Sequence, residues 1–284
     1  MNEDKLSGNE KTLGIDAGAS LVKLAIASPS GDLQLERHPA TDLGSVAKRI
    51  ARLQADRICL TGGRAAALQA LIGAGPTVHD EFESWAAGAR QTVWSEPDAL
   101  RDPFLLVSLG TGTSVQRIDE SSAVRVGGTA LGGGTLVGLG RALAGTSDFT
   151  EACELAARGS RAAVDLLVSE VFEGGEAPLA GNMTASNFGK LGRPDADAAP
   201  TDLLAGLVNL IAENISLIVG GLAHATSTPR VFIGGSTIQG NPALEERLIT
   251  LLGAFGCEVH LLAHGEYIGA IGAITLLRAV DPTA

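Results

Sequence analysis

Cysteine is scarce in this chain, with three residues in 284, and tyrosine occurs once. Cys59, Cys153 and Cys257 stand far apart, with no Cys-x-x-Cys pair and no Cys/His cluster. That spacing argues against a disulfide framework and a structural zinc site, and makes a reducing cytoplasm the default compartment. Basic residues are also in deficit, 21 against 32 acidic, for a net charge of −11. A broad positive field for nucleic acid or an anionic membrane is therefore missing. A small anionic ligand is still compatible, because backbone N–H groups, one lysine and Mg²⁺ neutralise phosphates locally. The first eleven residues, MNEDKLSGNEK, are polar and acidic rather than signal-like, and residues 1–11 are expected to form a disordered tail. A single long apolar run covers 203–222, but Asn209, Glu213, Asn214 and Ser216 interrupt it. A charge near the centre of a bilayer is costly, so a buried helix, in the core or at a subunit interface, is expected. No Walker A pattern GxxxxGK[ST] is present, which disfavours a P-loop fold.

Glycine, in contrast, is plentiful, 37 residues against 11 prolines, and points to tight turns rather than to collagen or a flexible linker. A chain of this length, 45% hydrophobic, can bury one large core or those of two lobes. Alternation predicts two strands over 12–27 around a turn at Asp16, and a third strand over 32–39. Residues 43–54 carry apolar side chains at helical spacing, and 57–63 read as a short strand ending in glycines. This β-β-β-α-β order predicts an α/β lobe. Residues 77–93 read as a strand end or turn entering a helix, with Asp80 near its start, and 95–103 as a loop. Strand, glycine turn and strand then recur over 104–118, and 122–128 extends the hairpin, so the opening design occurs twice. From 132 to about 172 the chain reads as helical, with two amphipathic segments joined at Gly159. Residues 173–202 form the longest irregular stretch. The buried helix follows, then a strand and glycine turn (230–236), a helix (241–256), a strand (257–263) and a small-residue helix (268–280).

Three turns carry the candidate chemistry. In DAGAS, with Lys23 beyond it, a carboxylate at a strand–turn junction can hold Mg²⁺ while Gly18, Ser20 and their neighbours let backbone N–H groups approach a phosphate. In LGTGTS, Gly110, Thr111, Gly112 and Thr113 suit wrapping an anion. In FIGGS, Gly234, Gly235 and Ser236 end a strand where a base or sugar can approach the backbone. Each turn alone equally suits an ordinary hairpin or strand end.

In this order and spacing the three turns resemble the actin/hexokinase/sugar-kinase nucleotide-binding superfamily. The stretches HDEFESWAAGA, LGTGTS, RVGGTALGGGTLVGLG, NMTASNFG, FIGGS and GEYIGAIGAI are similar to type II pantothenate kinases, and the likeness runs from residue 13 to the C-terminal helix. It implies an α/β, two-lobed, actin-like (ribonuclease H-like) fold with ATP and Mg²⁺ in the cleft. An N-terminal lobe (12–72) would be completed by helix 268–281, and a C-terminal lobe (73–267) would carry the substrate site and a homodimer interface. The implied reaction is phosphorylation of pantothenate at its terminal hydroxyl, the first step towards coenzyme A.

Residue by residue, the resemblance assigns Glu81 in DEFE as the catalytic base, with Asp80 and Glu83 as acidic residues at a helix start. Arg125 would grip pantothenate through its planar guanidinium, with Ser114 as a second contact. Asp16 and Lys23 would serve metal and phosphates. Gly132, Gly133, Gly134 and Thr135 enter a helix whose free N–H groups favour an anion. Trp85, Trp94 and His79 read as structural, and Tyr267 as a border of the pantothenate tail. Ala19 and Ser20 stand where the family commonly has Gly-Thr. Two alternatives stay open: an amino-sugar kinase of the same superfamily, and a non-kinase regulator gated by ATP.

Overall fold

In the strand Thr12–Ala17 (β1), alternation sends Leu13, Ile15 and Ala17 into one apolar cluster, while Gly14 and Asp16 face the opposite side. The computed structural model describes residues 10–95, 101–172 and 180–280. Residues 1–9 of the expected tail, and parts of the 95–103 loop and the 173–202 stretch, lie outside these. β1 pairs antiparallel with Leu21–Ala27 (β2), which pairs antiparallel with Leu33–Pro39 (β3). After helix Leu43–Leu53 (α1), Arg57–Thr61 (β4) returns parallel to β1. Helix Ala65–Ile72 (α2), an element the sequence reading did not include, leads to Thr77–Val78 (β5), parallel to β4. Asp42 caps α1 by accepting from the Ser45 N–H at 2.9 Å. Leu43, Val46, Ile50 and Leu53 then cover one face of the sheet.

The second sheet repeats this plan. Helix Glu81–Val93 (α3) precedes Phe104–Leu109 (β6), Thr113–Ile118 (β7) and Ala123–Thr129 (β8), joined as antiparallel hairpins. The chain continues through Gly133–Ala144 (α4), Phe149–Arg158 (α5), Leu166–Leu167 (β9), Val168–Val171 (α6), Thr184–Ser186 (β10) and Pro200–Ala225 (α7). Arg230–Gly234 (β11) then lies parallel to β6; after Pro242–Ala254 (α8), Glu258–Leu261 (β12) lies parallel to β11. Ile268–Val280 (α9) closes the described chain. The orders β3-β2-β1-β4-β5 and β8-β7-β6-β11-β12 are the same topology built twice.

Four clusters fill the interior. Leu105, Val107, Leu109 and Val115 pack with Leu207, Ile211, Ile215 and Val219 of α7 and Leu244, Leu248 and Leu252 of α8. On the opposite face, Phe104, Leu106 and Ile118 meet Trp85, Ala86 and Ala89 of α3, with Trp94 and Phe232 edge-on to Phe104. α9 covers the other face of the first sheet, seating Ala270, Ile271, Ala273 and Ile274 against Ala25, Ala27 and Cys59. The three cysteines are buried, and desolvation pushes the Cys59 and Cys153 thiols up to about 12.

α7 has the length and hydropathy of a membrane span, yet most of its apolar window is buried inside the structure. Two of the polar residues that interrupt it are tied to other segments. Glu213 accepts from Thr184 Oγ1 at 2.6 Å and from Asn187 Nδ2 at 2.9 Å. Asn209 donates to buried Asp165 at 2.8 Å and accepts from Arg247 at 2.9 Å. The NMTASNFG stretch is thus a polar clasp on α7, outside the cleft described below.

The same clasp overturns the expected helix over 160–172. In its place the chain makes a 3₁₀ turn at Arg161–Ala163, the two-residue β9 and the four-residue α6. Asp165 turns inward to accept from the Phe188 N–H at 2.9 Å, and Lys190 N–H bonds the Val164 carbonyl at 3.0 Å. These tertiary bonds replace the local i to i−4 ladder that the amphipathic pattern suggests.

Candidate active site

Both hairpin turns open onto one cleft of about 1190 Å³. In the first, Gly18 N–H bonds the Leu21 carbonyl at 3.0 Å; in the second, Gly110 N–H bonds the Gly112 carbonyl at 2.9 Å. The turns meet tip to tip, with Ser20 Oγ 3.2 Å from Thr111 Oγ1.

A row of polar residues crosses the first sheet beneath them. Strand register sets Asp16 between Lys23 on β2 and Thr61 on β4, and Lys23 beside Arg37 on β3. Lys23 Nζ donates to Asp16 Oδ2 at 3.2 Å, and both residues are buried. Gly62 closes this corner with φ at +93°, and a Cβ there would lie 2.6 Å from Asp16 Oδ1.

Three acidic side chains start α3, and the fold gives two of them different work. Asp80 is the helix cap, accepting from Phe82 N–H at 2.8 Å and Glu83 N–H at 3.0 Å. Glu81 instead opens onto the cleft, which Gly63 also lines. Its carboxyl is raised above the ordinary range, chiefly by desolvation within the cleft and then by the Asp16 charge, while Lys23 opposes the shift. Glu83 does not line the cleft.

Across from Glu81, Arg125 Nε on β8 donates to Ser114 Oγ at 3.2 Å. The glycines at the start of α4 behave differently from the expected open anion site. Gly133 N–H bonds the Gly110 carbonyl at 2.9 Å and Gly134 N–H bonds the Thr111 carbonyl at 3.0 Å. These two N–H groups are occupied, and their bonds dock the helix start onto the second turn. A Cβ at Gly132 would stand 2.8 Å from Gly112 Cα, and Thr135 Oγ1 bonds the Ala130 carbonyl at 3.3 Å.

The third turn joins the same assembly, Thr237 Oγ1 donating to the Gly110 carbonyl at 2.7 Å. Gly235 has φ at +117°, and a Cβ there would lie 2.1 Å from the Leu109 carbonyl oxygen. Gly234 packs on Gly265.

The structure therefore brings Asp16, Gly18, Ser20, Lys23, Glu81, Gly110, Thr111, Gly112, Thr113, Ser114, Arg125, Gly133, Gly134 and Ser236 to one cleft. Gly132, Thr135, Gly234 and Gly235 stand behind its lining, as backbone supports. Tyr267 does not line it either; it packs on the cluster around Ile271. Burial lowers the pKa of His79, which is likewise outside the lining.

Sequence reasoning missed several lining residues. Arg37 and His38 enter from β3, and Val137, Gly138 and Phe149 form an apolar wall on α4 and α5. Phe82 carried no signal in the sequence: it stands three and four residues before Trp85 and Ala86, on their helical face, and only the fold leaves it open to the cleft. Thr237 directly follows FIGGS, but only the fold reveals its bond to Gly110.

A carboxyl that holds its proton more tightly than usual, facing glycine turns and a buried lysine, suits proton transfer beside a phosphorylated ligand. Among the described residues no group of three His, Cys, Asp or Glu side chains gathers to hold a metal.

Comparison with known proteins adds three findings. Residues 45–276 match the Fumble family model. The type II pantothenate kinase of Bacillus cereus is 31% identical over 268 residues, covering 93% of this chain and 98% of its own. Two solved structures share the architecture: the ADPNP-bound activator of 2-hydroxyisocaproyl-CoA dehydratase from Clostridium difficile, and a ROK family glucokinase from Streptomyces griseus with glucose and AMPPNP. Their TM-scores are 0.63 and 0.57 at 14% and 12% identity, covering 94% of this chain in both cases and 93% and 98% of theirs. At those identities they speak for the fold alone, the two-lobed actin-like architecture.

Proposed function

This chain belongs to the Fumble family, the type II pantothenate kinases, and from that premise we propose that it transfers the γ-phosphoryl group of ATP to the terminal hydroxyl of pantothenate, giving 4'-phosphopantothenate and ADP. The observation that carries the residue assignments is the pairing of Glu81, open to the cleft, with the two glycine turns that close against each other at Ser20 and Thr111. Phosphoryl transfer to an alcohol needs a base on the hydroxyl, an in-line phosphate and donors for the charge that develops. Glu81 takes the proton from the hydroxyl. The turns at Gly18–Ser20 and Gly110–Gly112 hold the phosphates through backbone and hydroxyl groups, and Lys23 adds positive charge. Ser236 and the apolar wall at Val137 and Phe149 receive the adenosine. Arg125 and Ser114 hold the carboxylate or amide of pantothenate.

The Asp16 carboxylate, which lines the cleft beside the two turns, fits Mg²⁺, an ion that takes hard oxygen ligands and commonly combines one or two carboxylates with phosphate and water. When bound, the ion would neutralise phosphate charge. Ser20 keeps the hydroxyl of the family's usual threonine, which is why the Ala19-Ser20 departure is compatible with ATP binding.

The raised carboxyl of Glu81 has a kinetic consequence. A base must be deprotonated to act, so the acidic limb of kcat/KM against pH should fall above the ordinary glutamate value of 4.5. Lys23→Met, which removes the opposing positive charge, should move that limb to still higher pH. An acidic limb at or below 4.5 in both proteins would contradict the assignment.

The reaction is tested by ADP release with pantothenate, pantetheine, N-acetylmannosamine and glucose, and by product mass. Phosphate on pantothenate is expected; transfer to an amino sugar and none to pantothenate would overturn the reading. The same reading takes the lobes to be residues 12–72 with 268–281, and 73–267, and places the enzyme in the cytoplasm. It also includes a homodimer through helices of the C-terminal lobe.

A further inference from the structure

We propose that Phe82 is a positioning residue for Arg125, holding the guanidinium where pantothenate is gripped; the inference rests on the assignment of Arg125 given above. Arg125 is exposed on β8, the edge strand of its sheet, where a long flexible side chain would otherwise sample many rotamers. Three neighbours define its place. The Phe82 ring centroid lies 6.0 Å from Arg125 Cζ, the outer range of a cation–π contact. Ser114 Oγ accepts from Nε at 3.2 Å. Gly128 supplies the third side, since a Cβ there would stand 2.8 Å from Arg125 Nη2.

Phe82 is itself held from two directions through its backbone. Its N–H donates to Asp80 Oδ1 at 2.8 Å, and its carbonyl accepts from Nε2 of buried Gln116 on β7 at 3.1 Å. The ring joins none of the four hydrophobic clusters and is 41% exposed, although Trp85 and Ala86 beside it are buried. An aromatic ring fixed at its backbone and turned into the cleft makes a platform for a cation. Because Phe82 follows Glu81 on the same turn, it also ties the spacing of base and arginine to one rigid helix start.

The test is steady-state kinetics on Phe82→Ala, Phe82→Leu, Phe82→Tyr, Arg125→Ala and the double variant Phe82→Ala/Arg125→Ala. Removing the ring should raise the KM for pantothenate about 3- to 30-fold, the range of a cation–π contact. The KM for ATP and kcat should stay within about twofold of the parent. Leucine keeps apolar bulk without a π face and should behave as alanine does, whereas tyrosine should preserve the parent KM. In the Arg125→Ala background the Phe82→Ala change should add less than about twofold. Full persistence of its effect there, or parent-like behaviour of Phe82→Leu, would overturn the proposal. If Arg125→Ala alone leaves the pantothenate KM unchanged, the substrate role of Arg125 fails first, and the two failures are thereby distinguished. Should the alanine variant not fold, the leucine and tyrosine variants, each also made with Arg125→Ala, decide the question alone.

Discussion

Glu81→Gln should slow pantothenate phosphorylation about 10²- to 10⁴-fold while ATP still binds, the usual range for losing a positioned general base. The amide keeps the shape of the side chain, but it cannot take a proton from the hydroxyl. The informative control is its neighbour. Asp80 accepts two backbone N–H bonds as the cap of α3, and asparagine caps nearly as well, so Asp80→Asn should keep most of the activity. Turnover measured by ADP release, with ATP affinity measured separately by calorimetry, separates chemistry from binding. Near-parent turnover in Glu81→Gln, or a comparable loss in Asp80→Asn, would displace the base from Glu81.

Gly272→Ala should produce the largest loss of stability. A Cβ built on Gly272 would lie 1.7 Å from the Ser84 carbonyl oxygen, and one on Gly88 would lie 2.2 Å from that of Ile268. α3 and α9 therefore cross backbone against backbone, with no side chain at the contact to rotate away. A single methyl must push the helices apart, and overpacking of this kind costs about 1–3 kcal/mol and sometimes more. For a chain of this size that corresponds to a fall of roughly 2–5 °C in Tm.

Activity should fall with it, because α3 begins at Glu81 while α9 packs on the sheet that holds Asp16. Gly221→Ala on α7 is the reference, since a Cβ there meets nothing within 4 Å. It should be neutral or stabilising by up to about 1 kcal/mol, as alanine is the better helix former. Equal melting temperatures for Gly272→Ala and the parent would refute the close crossing.

The difference between these two glycines illustrates what can be read from letters. In sequence both are glycines inside apolar helical segments, GEYIGAIGAI and NISLIVGGL, with no local sign of which one touches another backbone. The same holds for acidic residues. DEFE offers three carboxylates, and only the helix boundary makes Asp80 the cap and leaves Glu81 to the cleft.

Much of the architecture was nonetheless legible. Period-two alternation marked β1, β2, β6 and β7, and the turns DAGAS and LGTGTS announced a repeated hairpin that the paired sheet topologies bear out. The hydrophobic period also marked α1 and α8; that Asp42 and Asn241 cap their starts is visible only in the structure. Asn209 and Glu213 correctly argued for a buried helix, although not for the clasp they form with Asp165 and NMTASNFG.

The letters alone therefore carried whatever depends on neighbours a few residues away: strand alternation, helical faces, turn glycines and the order of the three turns. Only the tertiary structure decided the rest. It engaged the Gly133 and Gly134 N–H groups with Gly110 and Thr111, turned 160–172 away from helix, and set Phe82 beneath Arg125. Each of those outcomes hangs on a partner tens of residues distant. A hydrogen-bonding group or a ring has no assigned role until that partner is within reach.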